Sequence, residues 1–289
     1  MPASGGKNKY PFIGAHVSAA MDMAQAPLRA HKLGCECFQF FSRPPQGGKA
    51  KEITVQLAKN FQANCQKYHL ESYIHSPYYI NLASAKNNIY YGSISVLREE
   101  LERASALGVK YLMAHLGSAR DLGEKEGLKK VILGLDKILD GYHGKTQFLI
   151  EMSAGSGAII GDTFEEIAKI IQVPKLKKYD IGICFDTCHG FASGYDLRNE
   201  KAIKETFKKF DRVLGLKKLK LIHANDSMTE LGSHHDRHAH IGQGKIGLEG
   251  FQAIVAFAKK QKLNLILETP DGVERVKDIK VLKTIRGGL

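Results

Sequence analysis

The segment "SHHDRHAHIGQG" puts four histidines and an aspartate into the eight positions from Ser233 to His240. The run is too polar and too glycine-bounded to belong to a core. Imidazole beside carboxylate is ligand chemistry for Zn2+, and also for Mn2+ or Fe2+, whereas Mg2+ and Ca2+ prefer shells of oxygen alone. Asp236 and His238 stand at i, i+2, so an extended chain sends both side chains to one side and Arg237 to the other. His234, His235 and His240 are read as lining the approach. A second pattern, "DTCH", places His189 three residues after Asp186, within reach of a common centre. The thiol of Cys188 lies between them and is read as pointing elsewhere.

The same residue types recur where apolar runs end. His16, His75, His115, Glu151, Asp186, His223 and Glu268 each stand at or near the end of a β-branched or aromatic stretch. Five histidines (His75, His115, His189, His223, His238) and four carboxylates (Glu151, Asp186, Asp236, Glu268) make nine candidate ligands. That is too many for one tetrahedral or octahedral ion, so two or three metals are implied.

Eight strand candidates must position these groups: residues 12–17, 35–41, 71–77, 111–117, 147–152, 181–186, 219–226 and 263–269. Between them lie helical patterns such as "SISVLREELERASALG", with apolar residues at i, i+3, i+4 and i+7, and "TFEEIAKII", where Thr163 and Glu166 can form a capping box. The strand runs are nearly continuously apolar, as in a parallel sheet buried on both faces, and no linker interrupts them. Eight βα units point to one (β/α)8 barrel, an α/β TIM barrel spanning residues 1–289 as a single domain, with residues 1–10 a flexible lead-in. All strand ends then meet at the C-terminal rim. A doubly wound open sheet is the alternative.

Composition fits an intracellular enzyme with an anionic partner. The 289 residues are 43% hydrophobic and carry a net charge of +12, which suits a polyanion. No apolar run approaches the roughly 20 residues that span a bilayer, and "MPASGGKNKY" lacks the apolar centre of a signal peptide. Five cysteines with no CxxC pair fit reduced thiols in the cytoplasm.

The segments "GAHVSAA", "HSPYYINLA", "HLGS", "IEMSAGSG", "CFDTCHGFASGYDLR", "HANDS", "DRHAHIGQGKIG" and "LILETP" resemble the endonuclease IV family of abasic-site endonucleases, from about Phe12 to Pro270. The resemblance implies three zinc ions per chain on a barrel, with Mn2+ or Fe2+ as substitutes, acting on double-stranded DNA containing abasic sites. His75 and His115 would hold one ion, with Glu151 bridging to a second and serving as the catalytic carboxylate. Asp186, His223 and Glu268 would complete the second ion, and His189, Asp236 and His238 the third. The implied reaction is hydrolysis 5′ to the abasic site, leaving a 3′-hydroxyl and a 5′ deoxyribose phosphate. Clustered divalent ions suit it, supplying a nucleophile opposite the leaving group and compensating charge on the phosphoryl oxygens. Where the family usually has asparagine after the bridging glutamate, this chain has Met152, so a supporting hydrogen bond is expected to be lost.

Tyr78 and Tyr79 follow His75 closely and are expected at the rim as aromatic wedges, and Arg43, Lys49 and Lys51 in the second loop are expected to meet phosphates. A monomer suffices, and no membrane partner is expected. Two other readings stay open: a metal-dependent sugar isomerase or epimerase, which would need fewer ligands, and a non-catalytic DNA-binding relative, to which nine ligands would bring no advantage.

Overall fold

Residues 10–289 are described by the computed structural model, so the expectation for the lead-in falls, apart from Tyr10, outside the described residues. Eight short strands pair in parallel and close on themselves: β1 (Ile13–His16), β2 (Cys37–Phe40), β3 (Glu71–His75), β4 (Tyr111–Ala114), β5 (Gln147–Glu151), β6 (Gly182–Asp186), β7 (Leu219–His223) and β10 (Asn264–Leu267). The order around the barrel is β1-β10-β7-β6-β5-β4-β3-β2. The open-sheet alternative is thereby excluded. Seven of the eight strands end sooner than their apolar runs, because the ladder stops where the chain turns outward at the rim; β6 ends with its run at Asp186. The run 219–226 divides: β7 stops at His223, and β8 (Asp226–Ser227) instead pairs antiparallel with β9 (His238–Ala239).

The helices around the barrel are α1 (Ala26–Lys32), α2 (Val55–Tyr68), α3 (Asn87–Leu107), α4 (Glu124–Leu139), α5 (Phe164–Ile171), α6 (Pro174–Lys177), α7 (Thr187–Ala192), α8 (Glu200–Leu214), α9 (Gly247–Gln261) and α10 (Val273–Gly288). α3 stops at Gly108, which takes the left-handed conformation that glycine adopts without penalty. At the start of α5, Thr163 caps the Glu166 amide, but the Glu166 carboxylate accepts from Gly161 and not from Thr163, so the capping box is half formed. No helix among the described residues is long and apolar enough to cross a membrane.

The barrel interior explains where the polar residues go. Cys37, Tyr73, Met113, Leu149, Cys184, Leu221 and Ile266, one from each of seven strands, pack together inside it. The eighth strand contributes Gly14, where an added Cβ would lie 1.6 Å from the Cys37 carbonyl oxygen, so only glycine fits. Strand side chains alternate, so the residue two positions after each of these also faces the axis, one layer nearer the rim. Those eight residues are His16, Gln39, His75, His115, Glu151, Asp186, His223 and Glu268. The apolar layer is the floor on which this polar ring stands.

Candidate metal centre

Six ring members and three residues from two rim segments converge. Asp186 is the N-cap of α7: its Oδ1 accepts the His189 amide at 2.9 Å, which fixes His189 one turn along with its ring over the axis. The β8–β9 ribbon carries Asp236 and His238 back over the rim. It is anchored by Asp226, whose buried carboxylate accepts the amides of Gly242, Gly244 and Ile246, each at 3.0 Å. A Cβ at Gly244 would lie 2.4 Å from the Ser227 carbonyl oxygen, so this close loop requires glycine.

Ligand atoms gather in groups, each within 4.8 Å: His75 with His115 and Glu151; Glu151 with Asp186, His223 and Glu268; and His189 with Asp236 and His238. Glu151 belongs to the first two. Its Oε2 is 2.7 Å from His75 Nε2 and 3.6 Å from His115 Nε2, and its Oε1 is 2.9 Å from His223 Nδ1. His223 Nδ1 is also 3.1 Å from Glu268 Oε2. In the third group, Asp236 lies 3.2 Å from both His189 Nε2 and His238 Nε2. A fourth grouping joins Cys188 to Asp186 and His238. There burial pushes the Cys188 thiol up, and its Sγ donates to the Arg237 carbonyl.

The residues fit divalent ions on a test independent of spacing. A metal-binding histidine offers one nitrogen to the ion and donates from the other. His75, His189 and His238 each turn Nδ1 to a main-chain carbonyl, of Ser76, Met152 and Glu268 respectively, and His115 turns Nδ1 to the Ser153 hydroxyl. A carbonyl only accepts, so Nδ1 carries the proton in the first three, and Nε2 is left for the centre. His238 Nε2 is buried there with no well-aligned hydrogen bond, its nearest carboxylate being Asp236 at 3.2 Å. His223 is reversed: Nε2 faces Gln39 Oε1 at 2.8 Å and Nδ1 faces the centre.

Packed together, these groups shift one another's acidity. Burial opposes charge on His189, but Asp186 and Asp236 lift it to about 10, and against the same opposition Asp236 and Asp186 lift His238 to about 9. Burial likewise works against charge on His75, and the Glu151 carboxylate outweighs it. On His115 burial wins and lowers the value. Burial would raise Glu151, yet the imidazoles of His115, His223 and His75 hold it well below the usual carboxylate range.

Two residues that sequence reasoning passed over hold the ligands in place. Gln39, fully buried, donates Nε2–H to Glu268 Oε1 at 2.6 Å while its Oε1 accepts from His223. Asn225 donates to Asp186 Oδ2 at 2.6 Å and accepts the Glu268 amide at 2.7 Å. The signal was present: a lone glutamine inside the apolar run "CFQFF", at the same strand phase as the histidines. The loss expected at Met152 does not reach His189, since the main chain, which any residue supplies, makes that bond; the methionine side chain packs in the core.

The expected DNA contacts fare unevenly. Arg43 departs from expectation: it is only 8% exposed, with Nε 2.6 Å from Glu100 and Nη2 2.8 Å from Glu99. These ion pairs pin the second loop to α3, although Arg43 also lines the cleft over the centre. Lys49 and Lys51 are exposed on the wall of a cleft of about 830 Å³ that opens over the centre. Tyr78, 68% exposed, lines the cleft with its ring edge-on to Phe41, whereas Tyr79 does not line it. His234 and His235 are exposed and lie outside the ligand groups, and His240 is bound to Asp278.

The basic excess does not sit at this rim. The segments leading from each strand to the outer helix after it hold eight lysines and arginines against ten aspartates and glutamates. The turns entering the strands at the opposite end hold eight lysines against three acids.

The family model described as xylose isomerase-like TIM barrel matches residues 27–285. A protein of Nitrosopumilus maritimus named probable endonuclease 4 is 40% identical over 266 residues, covering 89% of this chain and 93% of that protein. The probable endonuclease 4 of Halothermothrix orenii is 37% identical, covering 95% and 99%. The crystal structure of endonuclease IV from Thermus thermophilus aligns with a TM-score of 0.85 at 31% identity, covering 96% of this chain and all of that one.

Proposed function

Since the chain belongs to the endonuclease IV family, we propose that it hydrolyses double-stranded DNA 5′ to an abasic site, leaving a 3′-hydroxyl and a 5′ deoxyribose phosphate. The observation that carries the proposal is the meeting of nine histidine, aspartate and glutamate ligands in three groups at one rim, two of them sharing Glu151. A sugar isomerase on this fold would need fewer ligands and leaves the His189, Asp236 and His238 group without a task.

His75, His115 and Glu151 would hold one ion, Glu151, Asp186, His223 and Glu268 a second, and His189, Asp236 and His238 a third, with zinc first among the candidates. Bound there, divalent ions supply Lewis acidity at the phosphoryl oxygens and a water of lowered pKa. The chain does the rest. Glu151, buried and ionised between His75 and His223, would orient the attacking water. Gln39 and Asn225 keep Glu268, His223 and Asp186 from turning away as charge moves. Tyr78, at the cleft mouth, stacks where a base is missing, the step that costs least to open. We propose a monomer acting as a single domain in the cytoplasm.

The test is a duplex with one abasic analogue, incubated with and without chelator, and analysis of the cut ends. Metal-dependent incision leaving a 3′-hydroxyl is expected. Absence of cleavage by the metal-loaded protein, or a cut 3′ to the lesion, would overturn the proposal.

A further inference from the structure

The polar ring has one member per strand, and two neighbours in it, His16 on β1 and Gln39 on β2, belong to none of the ligand groups. Gln39 fixes the state of His16. The Glu268 carboxylate can only accept, so the amide NH2 of Gln39 faces it at 2.6 Å, and the amide oxygen must face His223. The second hydrogen of that NH2 reaches His16 Nδ1 at 3.1 Å. Nδ1 is therefore an acceptor and carries no proton. In the neutral ring the proton is on Nε2, and an imidazolium would turn an N–H against the amide hydrogens.

The ring also lines the cleft. His16 lies against Phe41 with ring centroids 4.3 Å apart, and is only partly buried. Its main-chain oxygen accepts from Arg275 at 2.9 Å, which fixes the end of β1. Among the described residues Nε2 has no protein hydrogen-bond partner, and with Nε2 protonated and Nδ1 engaged the ring has no lone pair to give a metal. Lys49 and Lys51 line the same cleft, so an anion entering it meets two cations beside an imidazole whose Nε2–H has no protein acceptor.

We infer that His16 is a substrate-binding residue, a neutral imidazole held by Gln39 so that its Nε2–H donates to a phosphate oxygen of the DNA backbone. The inference rests on the reading that the substrate is DNA. It gives His16, at a strand end like the ligands, a different task from theirs. A neutral donor also suits a place beside the cation centre, where a second fixed charge would repel the ions.

The probe is a duplex already nicked 5′ to a tetrahydrofuran abasic analogue, which cannot be cut again, bound by metal-loaded protein. His16→Ala is expected to weaken binding about 10- to 100-fold, as for the loss of a hydrogen bond to a charged group. Metal content should be unchanged, and His16→Gln, which returns an N–H donor, should recover part of the loss. A methylphosphonate at the contacted phosphate should weaken wild-type binding yet add nothing to His16→Ala. Equal binding by His16→Ala, loss of an ion, or additive losses at every phosphate near the analogue would overturn the inference. A wild-type protein that fails to cleave the intact abasic duplex refutes the functional proposal and this inference with it; one that cleaves while His16→Ala binds normally refutes this inference alone.

Discussion

Replacing Glu151 by glutamine perturbs the centre at its most shared residue. The carboxylate is fully buried, with one oxygen 2.7 Å from His75 Nε2 and the other 2.9 Å from His223 Nδ1. Glutamine keeps the volume, loses the charge and turns an NH2 toward one imidazole. Two charge-assisted hydrogen bonds at about 1.5–3 kcal/mol each put the cost in the metal-free protein at about 3–6 kcal/mol. For a chain of this length the unfolding entropy converts that to a fall in Tm of about 5–10 °C. The pH dependence follows from two opposite shifts. Glu151 is depressed in the folded state, so its contribution is present above the ordinary carboxylate pKa and lost as pH falls toward its folded value. His75 and His223 are raised, so theirs is complete below the ordinary imidazole pKa and lost as pH rises through their folded values. The penalty should therefore be greatest near about pH 6 and shrink in alkali. Circular dichroism melts of chelator-stripped protein at pH 6 and pH 10 read it directly. Equal melting of mutant and wild type at pH 6, or a penalty that grows in alkali, would refute the reasoning. After reloading, Glu151→Gln should retain about one ion of about three, since two groups share the lost carboxylate.

The other predictions concern the rim. Asp236→Ala and His238→Ala should each lower metal content by about one ion per chain and abolish cleavage; His234→Ala and His235→Ala should change neither, and elemental analysis of the four proteins decides. Loading chelator-stripped protein with zinc at pH 7 should release protons from His189 and His238, whose values of about 10 and about 9 keep them charged until a metal displaces the proton; calorimetry in buffers of different ionisation enthalpy would show no release if they were already neutral. Tyr78→Ala should reduce preference for abasic over intact duplex by about tenfold, from stacking worth roughly 1–3 kcal/mol, and Tyr79→Ala should have little effect; the reverse ranking in competition binding would move the wedge to Tyr79. Arg43→Ala should destabilise the fold by about 1.5–3 kcal/mol, the loss of a charge-assisted hydrogen bond to buried Glu100, which keeps Ser42 and Arg103 as partners, and leave the salt dependence of DNA binding unchanged; a shallower salt slope would restore Arg43 as a phosphate contact.

The barrel and its ring were legible because strand periodicity and ligand chemistry coincide. A histidine or carboxylate ending an apolar run is conspicuous, and seven of the eight rim positions carry one. Gln39 was missed because a neutral amide has no metal preference to draw attention, although its phase in β2 matches His75 in β3. The division of the run at 219–226 was illegible for another reason. Asn225 and Asp226 sit in an apolar context, but what decides their conformation is remote: Thr187 and Asp186 in one direction, Gly242 to Ile246 in the other. Arg43 shows the same limit from the other side. A basic residue in a glycine- and proline-rich loop reads as a free cation until the carboxylates on α3 are placed beside it.

Net charge was the weakest guide, and the structure shows why. A value of +12 suggests a surface that attracts DNA, but the rim that holds the centre has more acids than bases in its segments, before the buried Glu151 and Asp186 are added. Screening confines each exposed charge to about 8–10 Å in physiological salt, so lysines at the far end of a barrel contribute little at the mouth. Attraction of a phosphate backbone to this rim therefore depends on the charge that its ligands collect. The grouped carboxylates are suited to divalent ions, and without such ions their charge opposes that of Lys49 and Lys51 on the cleft wall. Binding and chemistry are coupled through the same side chains, so chelation should abolish discrimination of the abasic site together with incision, which ligand mutations at His75 or Asp236 should reproduce one ion at a time.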